Sequence, residues 1–197
     1  MRLSKEFYMR DGREVARDLL GKIVVRRYGD RVLRGRIVEV EAYLGPEDRA
    51  SHAWGGRRTK RTETMYQPGG YLYIYLIYGM YHCLNVVASE EGIPHAVLVR
   101  AVDPIEGTDV MRGLRRVRGG YELTNGPGKL CMAMDIGKGD NGRDLVTSHE
   151  IWLEDDGYTP EKIVCARRIG IEYAGEYRDR LWRYYIDENP WVSKGKK

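Results

Sequence analysis

YLYIYLIYGMYHCLN, residues 71–85, is the stretch that decides how this chain is read. Tyr71, Tyr73 and Tyr75 alternate with Leu72, Ile74 and Leu76, the period of two that gives a strand two different faces. The aliphatic face suits a core. The tyrosine face is a row of flat, π-rich rings that keep a hydrogen-bonding hydroxyl. The alternation breaks at Ile77-Tyr78-Gly79-Met80, where Gly79 can take the positive φ of a tight turn. Tyr78 then stands at a hairpin tip, and Cys83, Leu84 and Asn85 belong to the returning strand. Tyrosine is a good strand former, so this face has a plain reading as the cover of a core edge. With fifteen Tyr against one Phe, however, aromatic positions nearly always carry a hydroxyl, which suits a wet platform on which bases stack.

Working outward, Asp11 and Glu14 read as a capping box for a short helix that buries Val15, Leu19 and Leu20 and that Gly21 closes. Residues 22–28 and 31–43 read as strands joined by a Gly29-Asp30 hairpin, with Val38 and Val40 on one face. Ile37, Glu39, Glu41 and Tyr43 fall on the other. The segment 44–67 is long for a connection in a compact domain, which points to function or disorder. It is Gly-rich and basic, and carries His52 and Trp54. Residues 95–104 supply a further strand; 105–116 carry a helical stripe of Val110, Met111 and Leu114; 124–136 open as a turn into a second short helix. Residues 151–155, 163–170 and 182–186 are late strands, and 193–197 a tail expected to fray. The sum is an α+β fold: a single mixed domain over 1–197 with a curved, largely antiparallel sheet, short helices and a protruding β-hairpin.

At 197 residues, 42% hydrophobic and 31% charged, the chain has the composition of one soluble globular domain. The net charge is only +4, but the positive residues cluster. Arg57, Arg58, Lys60 and Arg61 form one group, Arg112, Arg115, Arg116 and Arg118 another, and Lys194, Lys196 and Lys197 a third. Such clusters fit a polyanion as well as a solvated face. The three cysteines are isolated, without zinc spacing, and imply a reducing, cytoplasmic or nucleoid setting. The N-terminus is too charged for a signal peptide, and no apolar run approaches the roughly 20 residues of a membrane span.

Glu41 is the sharpest candidate for chemistry, because it precedes the long segment on the face shared with Glu39 and Tyr43. Facing solvent, both glutamates are ordinary surface residues. Covered by the tyrosine hairpin, Glu41 becomes a half-buried carboxylate able to take a proton from water. Glu39, Glu41, Glu47, Asp48 and His52 could also gather as an oxygen-rich metal site, although their spacing matches no known ligand pattern. Serine-nucleophile motifs, phosphate-binding loops and dinucleotide fingerprints are absent.

Several blocks together carry a resemblance. VEVEAYLGPEDRASHAWGG, TMYQPGGYLYIYLIYGMYHCLNVV, VLVRAVDPIEG, TNGPGKLCMAM and NPWVS resemble the 3-methyladenine (alkyladenine) DNA glycosylase family, in family order and from about Leu3 to Ser193. The resemblance implies Glu41 as the base that activates a hydrolytic water and Arg100 as the arginine that helps hold it and the adjacent phosphate. It implies Tyr43, His52 and Tyr75 as walls of the pocket that stacks an extruded base, and Asn85 as the residue that crowds the amino group of guanine. Tyr78 matches the aromatic wedge that enters the minor groove. Arg57, Arg58, Arg61 and Lys129 are weaker candidates for DNA-backbone contacts, since Thr62 and Gly128 depart from residues found in several relatives.

The implied partner is double-stranded DNA carrying damaged purines, bound by a monomer without membrane association, metal or cofactor. Extruding a base forfeits stacking that a wedge can replace. Two rivals remain at this point: a metal-dependent nuclease built on Glu39, Glu41, Asp48 and His52, and a non-catalytic module that uses the tyrosine hairpin to bind nucleic acid.

Overall fold

The computed structural model describes residues 1–193. It begins with α1 (Lys5–Tyr8) and α2 (Gly12–Leu19). Asp11 caps α2 by accepting from the Arg13 N–H at 2.9 Å, a single bond in place of the reciprocal box. Val15, Leu19 and Leu20 are buried as expected, each contributing roughly 1.5–3 kcal/mol, and Gly21 ends the turn at φ +89°.

Eight strands follow in one antiparallel sheet: β1 (Ile23–Tyr28), β2 (Arg31–Leu44), β3 (Leu72–Ile77), β4 (Tyr81–Ala88), β5 (His95–Glu106), β6 (Ile151–Glu154), β7 (Ile163–Ala166) and β8 (Arg183–Ile186). The order is β3-β4-β5-β2-β1-β6, with β8 also on β2 and β7 on β8. Two further helices, α3 (Thr108–Arg115) and α4 (Pro127–Ala133), lie between β5 and β6 in the chain. Ile105 belongs to β5 rather than to α3, and α1 was not anticipated.

β2 organises the sheet. One edge pairs with β1 over Arg31–Arg36 and then with β8 over Glu39–Glu41, while β5 runs along the other. Along β5 the register slips by one residue at Val38 and back again at Arg100, neither of which has a partner across the ladder. The expected alternation fails there: Ile37 joins Val38 and Val40 in the main core instead of sharing a setting with Glu39.

The hairpin is formed as expected, with Ile77 opposite Tyr81 across Tyr78-Gly79-Met80. β5 supports β4 only from Asn85 to Ala88, so the outer half of the hairpin projects beyond the sheet. Leu76, assigned by alternation to a core, is therefore 49% exposed.

The segment after β2 is ordered, with short 3-10 turns at Trp54–Gly56 and Glu63–Tyr66. Ala53, Met65 and Tyr66 pack with Tyr73, Val87 and Ala96 into a second small core. Ser193 does not fray: it is buried, and its N–H and Oγ meet Glu39 Oε2 and Oε1 at 2.7 and 2.9 Å. The rest of the expected tail, 194–197, lies outside the described residues. Among the described residues no helix is long and apolar enough to cross a membrane.

Candidate active site

Glu39 and Glu41 are both completely buried, so neither is a surface residue. Burying a carboxylate is costly unless donors or cations meet it, and each glutamate is met differently. Glu39 Oε1 receives Arg183 Nε at 2.7 Å and Arg100 Nε at 3.1 Å, besides the Ser193 contacts. Its oxygens are fully engaged, which makes it an anchor.

Glu41 is more sparsely held. Tyr43 Oη donates to Oε2 at 2.8 Å, the Ile169 backbone N–H donates to Oε1 at 2.8 Å, and Arg100 Nη1 lies 3.3 Å from Oε2. The guanidinium of Arg100 thus spans both carboxylates. Burial works against its charge, but Glu41 and Glu39 together outweigh that and hold its pKa above the ordinary value.

Above this group lies a cavity of about 400 Å³, within the range of small-molecule sites. Tyr43, His52, Tyr75, Asn85 and Arg100 all line it, so the structure brings the expected pocket residues together. Glu41 sits just beneath the lining, behind Tyr43 and Arg100.

The walls are held neutral and donor-rich. His52 Nδ1 is 2.9 Å from Tyr73 Oη, and its ring meets Tyr75 edge-on at 4.6 Å. Burial, helped by the nearby charge of Arg61, brings its pKa down to about 4. Burial also raises the Tyr75 phenol, and burial with the Glu41 carboxylate raises that of Tyr43, so both hydroxyls stay protonated. Cys83, another lining residue, is pushed up to about 11 by burial. Asn85 donates through Nδ2 to the Tyr73 and Cys83 carbonyls at 3.0 and 3.3 Å. Among the described residues no hydrogen bond reaches its Oδ1, which leaves an acceptor in the pocket wall.

The sequence reading missed Arg168 and Ile169. Arg168 grips Asp48 at 2.5 and 2.9 Å, donates to the Ala42 carbonyl at 2.9 Å, and lies 4.7 Å over the Tyr43 ring. This pair ties the segment after β2 to the 167–170 turn, and so delivers the Ile169 N–H to Glu41. A contact spanning 120 residues leaves no local pattern. A backbone donor leaves none at all.

Tyr78 stands at the hairpin tip, 83% exposed, with φ +53° beside Gly79 at φ +70°. A tyrosine in the left-handed region is strained, and among the described residues none receives its ring. The weaker candidates differ among themselves. Arg57 is exposed and lines a neighbouring cavity rather than this pocket, and its carbonyl accepts from Thr62 Oγ1 and Tyr66 Oη. Arg58 is paired with Glu63 at 2.7 Å, Lys129 with Glu122 at 2.5 Å and with Asn125 at 2.9 Å. Arg61 lies over Tyr75. Gly128 lines the pocket where an added Cβ would stand 2.9 Å from that of Tyr81, so a serine there would need Tyr81 to shift.

The carboxylates that might have gathered as a metal site are dispersed by these contacts. Glu39 is taken by two arginines and Ser193, Asp48 by Arg168, and His52 by Tyr73. Among the described residues no group of three His, Cys, Asp or Glu is placed to hold a metal.

Comparison with known proteins shows the family. The profile of the methylpurine-DNA glycosylase family matches residues 6–190. A protein of Clostridium perfringens (strain SM101), provisionally named 3-methyladenine DNA glycosylase, is 50% identical over 204 residues, covering 98% of this chain and 100% of its own. Proteins of the same provisional name from Natranaerobius thermophilus and Clostridium novyi are 50% and 51% identical, each over 98% of this chain and over 99% and 98% of their own. The chain belongs to the methylpurine-DNA glycosylase family, and is thus a DNA glycosylase, a hydrolase of N-glycosyl bonds.

Proposed function

We propose that this glycosylase draws an alkylated purine of the 3-methyladenine type out of duplex DNA and hydrolyses its glycosidic bond with a water that Glu41 activates. One observation carries the reading. Glu41 is completely buried, and its carboxylate is met by the Arg100 guanidinium, the Tyr43 phenol and the Ile169 N–H, three residues that themselves line the tyrosine-walled cavity.

A base inside the duplex cannot be reached at its sugar bond, so it has to be extruded. Tyr78 is the group placed to fill the gap from the minor groove, being exposed at a projecting tip. The extruded base stacks against Tyr75 and Tyr43 with His52 beside it. An alkylated purine carries positive charge, and its contact with these rings is a cation–π interaction of about 0.5–2 kcal/mol. Asn85 crowds the amino group of a guanine. As the bond to the base breaks, the sugar gains positive character that the Glu41 carboxylate stabilises while it takes a proton from the attacking water. Arg100 holds Glu41, and Tyr43 orients it. Among the described residues no lysine lines the pocket, so on this reading the product is an abasic site with the strand intact. Arg57, Arg58, Arg61 and Lys129 steer the DNA backbone onto an enzyme that acts as a monomer in the cytoplasm or nucleoid. Hypoxanthine and ethenoadenine are the neutral purines to be tried beside the alkylated ones. Neither metal nor cofactor takes part in these steps.

Duplexes carrying single damaged purines, incubated in excess chelator with the released bases identified, test the reading. Glu41→Gln should keep its affinity for lesion DNA and release base about 10²–10⁴-fold more slowly. Undiminished release by that variant removes Glu41 from the reaction.

A further inference from the structure

Arg61 was expected only to touch the DNA backbone, yet its guanidinium carbon lies 5.4 Å from the centroid of the Tyr75 ring and it lines the base pocket. It also lines a neighbouring cavity of about 600 Å³ with Arg49 and Arg57, so it stands in the partition between the two. Among the described residues no carboxylate comes within ion-pair distance of Arg61. Arg58, three residues earlier, has Glu63 at 2.7 Å. The charge of Arg61 therefore rests on an aromatic face. Its field extends through the pocket, adding to burial in lowering the His52 pKa and opposing burial at the Tyr73 phenol.

A tyrosine-lined pocket by itself favours positively charged purines over neutral ones, because each ring face attracts a cation. Here Tyr43 has a cation on its face in the buried Arg168, and Tyr75 already has one in Arg61. A neutral purine can lie beside the guanidinium without electrostatic penalty. A positively charged purine competes with it for the same ring and is repelled at short range. We infer that Arg61 is a specificity-determining residue that narrows the advantage of cationic over neutral purines by holding a resident positive charge on Tyr75. The inference rests on the base-pocket reading above and concerns the selection made there.

The test uses the full chain, as wild type, Arg61→Ala and Arg61→Lys. Release of 3-methyladenine from methylated DNA is compared with release of hypoxanthine from a defined duplex. The quantity read is the ratio of the two kcat/KM values. Differences in the intrinsic lability of the two bonds cancel when that ratio is compared between variants. In Arg61→Ala the ratio should rise in favour of 3-methyladenine by about tenfold, a change on the scale of one cation–π contact. Arg61→Lys, which restores the charge, should bring it back towards the wild-type value. Arg61 is exposed, and a matching urea midpoint confirms that the variants fold. If both activities fall together and the ratio stays put, Arg61 is a phosphate contact and the inference is overturned. A ratio that drops in Arg61→Ala overturns it equally. A wild-type chain that releases neither base fails earlier, at the base-pocket reading itself, and takes this inference with it.

Discussion

Arg100 Nη1 stands 3.3 Å from Glu41 Oε2 while Nε of the same guanidinium stands 3.1 Å from Glu39 Oε1. One cation is thus shared by two completely buried carboxylates. Arg100 stands at the register slip, without a partner across the ladder opposite β2.

Because removal of one partner strands the other charge, Arg100→Met should cost about 3–5 kcal/mol of stability. Arg100→Lys, which keeps a charge but cannot span both acids, should lose less. Urea unfolding midpoints at neutral pH give the comparison. A methionine variant as stable as wild type would mean that Arg183, Ser193 and Tyr43 suffice to hold the two acids.

The lowered pKa of His52 gives a pH dependence with a definite sign. Its folded value is about 4 against 6.5 when unfolded, so between those values the unfolded chain binds the extra proton. Stability is therefore fully present above pH 6.5 and is lost as pH falls towards 4, by at most about 1.4 kcal/mol per pH unit for this group. His95, also lowered by burial, acts in the same direction. His52→Gln should flatten the fall in urea midpoint between pH 7 and pH 5 without abolishing it. Parallel curves for variant and wild type would assign the acid sensitivity elsewhere.

At the hairpin tip, stability and function should part company. Tyr78 occupies φ +53°, where glycine is at ease and tyrosine is strained by roughly 1–2 kcal/mol. Tyr78→Gly relieves that strain but loosens the unfolded chain, so stability should stay level or rise slightly. Tyr78→Ala keeps the strain. Both should weaken binding to an intact lesion duplex more than to abasic product, as measured by titration of labelled duplexes. Equal losses on both duplexes would argue that Tyr78 does not fill the gap left by the base.

Much of this was legible in the sequence because it was local. The tyrosine alternation, the Gly79 turn and the Glu41-Ala42-Tyr43 run each announce themselves within a few residues, and the strands they predict are formed. What the sequence hid was contact at long range. The slip at Val38, which sends Ile37 into the main core, depends on what β5 does sixty-odd residues later. Leu76 alternates correctly but has no strand beneath it to bury against. Ser193 reads as a loose end until Glu39 is seen waiting for it. Arg61 reads as part of a basic run, and only its position over Tyr75 marks it as a pocket residue.

The partners of the two glutamates also impose an order of events on a chain made from its N-terminus. Glu39 and Glu41 emerge early, but the Ile169 N–H, Arg183 and Ser193 that meet them lie 128, 144 and 154 residues further along. Until those residues arrive, only Arg100 and Tyr43 are there to meet the two acids. On the proposed role of Glu41, a nascent or truncated polypeptide that ends before the last strand should release no base, because the contacts that hold the two acids in place are incomplete.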